Sequence, residues 1–142
     1  MPYRADIEID LSAHITSNYI ISSQHRRRGN MNKSIWLIDF NEEVNCFIES
    51  ITNNWKDGLE AWGLRYVNTN LNVVGLSSMN DELKLAKFVS GNNTNVWHGY
   101  PANHMANSQD RPTTEILKNW VNDGYITKAK MNKIRQGQLC YL

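Results

Sequence analysis

Cysteine is scarce in this chain. Cys46 and Cys140 are the two present, too few and too far apart for a disulfide framework or a paired-cysteine metal knuckle. That points to a reducing, cytoplasmic setting. Acidic residues flank Cys46 and favour its thiol over a reactive thiolate. Long apolar runs are missing too. None approaches the roughly 20 residues that cross a bilayer, so no membrane partner is expected. The opening MPYRADIEID has no apolar core of the secretory-signal kind. Without export, the matches to the glycosylation sequon at Asn32-Lys33-Ser34 and Asn92-Asn93-Thr94 are chance. No glycine-rich phosphate loop, nucleophile elbow or internal repeat occurs.

What is present suits a folded protein: 41% hydrophobic and 20% charged residues exclude a disordered polyelectrolyte. At 142 residues the simplest organisation is a single α+β domain, 1–142. A net charge of +1 predicts no partner by itself. Its distribution says more. Residues 41–110 carry eight acidic against four basic residues, and 111–142 carry six basic against two acidic. Either the two regions are solvated faces of opposite sign, or the C-terminal one meets an anion.

Residues 6–16 alternate apolar and polar and predict a half-buried strand, with His14 on its polar face. The polar stretch after it contains Arg26, Arg27 and Arg28, either a solvated turn or a grip for phosphate. SIWLIDF (34–40) reads as an interior strand. Asn41 then caps one long core helix, 41–62, whose stripe runs through Val44, Phe47, Ile48, Ile51, Trp55, Leu59 and Trp62 to Gly63. Two short strands, 64–67 and 71–76, flank the turn 68–70. A second helix is expected from about 80 to 89, then a short strand at 95–97. The expected fold is a mainly antiparallel sheet of about five strands, the long helix, and a C-terminal helical pair.

The chemistry concentrates between Trp97 and Gly137. His98-Gly99-Tyr100-Pro101 reads as a loop after a strand, with Gly99 supplying unusual backbone angles. His98, His104 and Arg111 form a candidate catalytic set for metal-independent phosphodiester cleavage: two imidazoles as acid and base, and a guanidinium for the developing charge. The same residues also suit loop support. The histidine spacing does not suit a metal, so no metal site and no cofactor are expected. Pro112 to Gly124 and Thr127 to Gly137 predict two helices resembling a helix-turn-helix in outline.

The last helix carries Lys128, Lys130, Lys133 and Arg135 and no acid. Its cations split between two sides, where a recognition helix gathers its contacts on one. Three functions follow. The first is a module that contacts RNA or DNA through Arg26, Arg27, Arg28, Arg111, Lys128, Lys130, Lys133 and Arg135. The second is a ribonuclease-like enzyme using His98, His104 and Arg111. The third is a protein-interaction partner, inhibitor or antitoxin-like, with some of its five tryptophans and six tyrosines as anchors. Oligomeric state is not legible.

Overall fold

The computed structural model describes residues 3–26, 33–91, 95–140 and 142. In chain order they form β1 (Glu8–Ile9), β2 (Asn18–Ile20), β3 (Ile35–Trp36), α1 (Phe40–Thr52), β4 (Lys56–Asp57), β5 (Glu60–Leu64), β6 (Tyr66–Val67), β7 (Asn70–Leu71), β8 (Gly75–Leu76), β9 (Glu82–Leu83), β10 (Leu85–Ser90), β11 (Val96–Ala102), α2 (Thr114–Asn122) and α3 (Lys128–Arg135). The fold class is α+β. Its main sheet has six strands in the order β1-β2-β11-β10-β5-β4, beside a three-stranded sheet β3-β8-β9 and the hairpin β6-β7. All pairs are antiparallel except β2 with β11.

The long helix expected at 41–62 ends at Thr52. Asp39, not Asn41, caps it: its carboxylate accepts from Glu42 N at 2.8 Å, and the Glu42 side chain reaches back to Asp39 N, which is a capping box. At the far end Asn54 takes φ 58°, and Trp55 N bonds Ser50 O at 2.8 Å, which closes the helix. The chain then turns at Gly58 (φ 61°) into β5. Trp62 keeps the helical spacing by coincidence and is buried as a strand residue.

The helix expected at 80–89 is instead a turn followed by β9 and β10. Leu85, Ala86, Lys87 and Phe88 are all buried, as in a central strand covered on both faces, which period alone does not distinguish from a helix. The strand expected at 6–16 survives only as β1. The Asp10 carboxylate accepts from Ser12 N at 2.9 Å, and the Leu11 carbonyl accepts from His14 N and Ile15 N. Such local bonds outcompete a ladder. The C-terminal helical pair is as expected: Thr113 and Thr127 are its caps, and Gly124 (φ 83°) and Gly137 (φ 69°) follow the two helices. No helix among the described residues is long and apolar enough to cross a membrane.

Two cores lie on opposite faces of the sheet. On one, Ala61, Ala86, Phe88 and Trp97 meet Val44 and Phe47 of α1. On the other, Trp62, Leu64, Leu85 and Ala102 meet Ile116, Leu117 and Trp120 of α2 and Met131 and Ile134 of α3. The strand registers set Leu64, Leu85 and Ala102 in one row, Trp62, Lys87 and Tyr100 in the next, and Glu60, Val89 and His98 in a third. The α2–α3 side of the sheet therefore passes from apolar to polar along its strands.

Candidate active site

The second row begins the polar half of that face. Lys87 is 2% exposed. Its ammonium pairs with Glu60 Oε1 at 2.8 Å, donates to the Gln109 carbonyl and lies 5.3 Å from the Trp62 ring centroid. A buried cation needs such a set of partners. Beside it, the Tyr100 hydroxyl donates to Asp110 Oδ1 at 2.8 Å, while Asp110 Oδ2 accepts from Asn103 N at 2.9 Å. Trp62 Nε1 donates to the Asp110 carbonyl at 3.0 Å. Asp110 thereby pins the loop 103–111 onto the sheet. Burial, and then the hydrogen bond to Asp110, hold the Tyr100 phenol far above its usual value.

Above this floor opens a polar cleft of about 540 Å³ lined by His25, Lys33, Ser34, His98 and Tyr100 among others. His25 stacks on Tyr100 with ring centroids 5.3 Å apart and planes at 21°. Its Nδ1 lies 2.9 Å from the Ser34 carbonyl. A carbonyl only accepts, so Nδ1 carries the proton and, in the neutral ring, Nε2 keeps its lone pair. Burial pulls the His25 imidazole below its usual 6.5; the Ser34 bond opposes this, and the charges of Lys33 and His98 add to it. Burial also lowers His98, with Lys33 assisting. The Lys33 ammonium is thus in electrostatic reach of both imidazoles, and it donates to Gln24 Oε1.

β11 delivers His98, and it runs through the residues expected to form a loop. Pro101 is tolerated because the parallel register with β2 stops at Trp97. Gly99 is required for a different reason from the one its sequence suggests. It does not adopt a positive φ; a Cβ there would stand 2.7 Å from the Tyr19 hydroxyl and collide with the Phe88 ring.

The expected trio is divided. His98 lines the cleft, while His104 and Arg111 serve the C-terminal segment. His104 Nε2 lies 2.8 Å from the Gln138 carbonyl. Arg111 Nε donates to the His104 carbonyl at 2.8 Å, and its guanidinium packs on Gly137. Burial lowers His104 as well. Of the three arginines in the early loop, Arg27 and Arg28 lie outside the described residues. Arg26 turns inward to Glu43.

On α3, Lys128, Lys133 and Arg135 are exposed and Lys130 half-buried. None of the four has an ion-pair partner among the described residues. Among those residues no three His, Cys, Asp or Glu side chains are grouped to hold a metal ion.

Sequence reasoning missed His25 and Lys33. Both sit beside the arginine run, 65 or more positions before His98, and no spacing rule links residues so far apart. Compared with known protein families, curated proteins and solved structures, the chain matches none.

Proposed function

We propose that this protein cleaves RNA without a metal ion, in the cleft over Tyr100. The observation that carries the reading is the convergence of two imidazoles, His25 and His98, with the ammonium of Lys33 around one polar hollow. Such a set supplies a base, an acid and a cation for a phosphoryl group that gains charge. His25, with Nε2 unprotonated, removes the proton from a ribose 2′-hydroxyl. The 2′-oxygen attacks phosphorus, the bond from phosphorus to the 5′-oxygen breaks, and His98, entering as imidazolium, protonates that oxygen. The products are a 2′,3′-cyclic phosphate and a 5′-hydroxyl. Lys33 balances the charge on the non-bridging oxygens. DNA, which has no 2′-hydroxyl, is not a substrate. Compared with the trio expected from sequence, His25 takes the place of His104 and Lys33 that of Arg111.

The test is incubation of an RNA oligonucleotide with the protein and a chelator, reading for a cyclic-phosphate product. Cleavage should fall by about 10²–10⁴ in His25→Ala and in His98→Ala. An inactive parent, or full activity in both variants, removes this reading. The second reading is a module that binds RNA or DNA without cutting it. What favours it is the set of α3 cations, Lys128, Lys130, Lys133 and Arg135, with no acid beside them among the described residues. It requires binding that weakens with salt and with Lys133→Glu/Arg135→Glu, while the strand stays intact.

A further inference from the structure

Glu43 projects from α1 with its side chain wholly buried, 0% exposed. A buried carboxylate without partners is costly, and here both oxygens are taken. Oε2 accepts from the Tyr19 hydroxyl at 2.5 Å, and Oε1 accepts from Arg26 Nη2 at 2.5 Å. Arg26 Nη1 donates to the Ile38 carbonyl, and the guanidinium lies 4.7 Å from the Phe40 ring centroid.

A buried ion pair of this kind is seldom better for stability than a well-packed apolar pair. What it does give is direction. Arg26 is tied to a helix side chain, a backbone carbonyl and an aromatic face at once, so its backbone has one place to go. Arg26 N bonds Ser23 O at 3.1 Å and closes the 3-10 turn Ser23–His25. The residue set by this anchor is His25. Its ring then has only to meet the Ser34 carbonyl on one side and the Tyr100 ring on the other.

We infer that Glu43 and Arg26 are positioning residues for His25: the pair under α1 fixes the turn that presents the His25 Nε2 lone pair to the cleft. This rests on the reading of His25 as the base in the cleft. Neither residue touches substrate. Arg26, expected from sequence as a contact for nucleic acid, acts from beneath the site instead.

The experiment combines nitrogen-edited NMR of the imidazoles with cleavage kinetics on parent, Arg26→Lys, Glu43→Gln and Tyr19→Phe. Ile116→Ala, in the core under α2, is the control for lost stability alone. The parent should show His25 protonated on Nδ1, with ring-to-ring contact to Tyr100. In Arg26→Lys and Glu43→Gln the other tautomer should appear and the ring contact should weaken. kcat should drop about 10-fold or more with KM unchanged. Ile116→Ala should lower Tm yet keep the parent tautomer and kcat. If Glu43→Gln does not fold, Arg26→Lys decides; Tyr19→Phe, which leaves the Arg26–Glu43 pair in place, should keep the parent tautomer and ring contact. A folded Arg26→Lys with parent tautomer and ring contact overturns the inference. If the parent cleaves nothing, the NMR arm still decides: a tautomer change keeps the positioning role while the RNA-cleaving reading is lost.

Discussion

His25, His98 and His104 share one electrostatic fate. Each is lowered from 6.5, with burial the leading cause. A lowered imidazole is neutral in the folded protein at a pH where the unfolded chain already takes up a proton. Its contribution to stability is therefore full above 6.5 and is lost as pH falls through the folded value. For the proposed cleavage the same downward shift moves the working range to lower pH, opposite to its effect on stability. The proposed reaction needs one imidazole neutral and the other protonated, so its rate profile, governed by two lowered groups, would be bell-shaped with its maximum below 6.5. NMR titration should place all three midpoints below 6.5, and the rate maximum should fall in the same range. A midpoint for His25 or His98 at or above 6.5 contradicts the buried placement of that ring.

At the scale of elements, legibility followed local signals. The helical pair was readable because each helix carries its own cap, stripe and terminal glycine: Thr113 to Gly124, then Thr127 to Gly137. The end of α1 was signalled too, by Asn53-Asn54 and then Asp57-Gly58, but the spacing of Trp55, Leu59 and Trp62 masked it. β10 was unreadable for a different reason. Its burial on both faces comes from the strands and helices around it, and its own six residues carry no trace of them. The candidate site was half legible. His98, with its neighbour Tyr100, drew attention because they lie together, whereas His25 and Lys33 reach the cleft only through tertiary structure.

The stop after α1 gives a test of this account. Asn54 sits in the left-handed region at φ 58°, which glycine accepts freely and a β-branched residue resists. Asn54→Gly should raise stability by up to about 1 kcal/mol, and Asn54→Val should lower it by about 1–2 kcal/mol, read from denaturant midpoints. Equal midpoints for the two variants would mean that the helix ends for another reason.

For the whole molecule, the central strands make the two cores interdependent. β10 contributes Ala86 and Phe88 to one core and Leu85 to the other, and β5 divides in the same way through Ala61 and Trp62. Neither core keeps its sheet surface if the other is lost. Calorimetry should show one transition, with Phe88→Leu and Trp120→Leu both shifting it as a unit. Two resolved peaks would separate the cores.

The parallel pairing of β2 with β11 joins Asn18 to Val96, and Ser17 Oγ bonds Asn95 Oδ1 at 2.9 Å across 78 positions. This closure has a meaning for the chain during its synthesis. His25 and Lys33 leave the ribosome before the strand that carries His98 and the loop that Asp110 pins, which follow 65 or more residues later. A nascent chain therefore holds only one wall of the cleft until residues 98–110 have been made. The cleft is complete only after β11 has been made and has paired with β2.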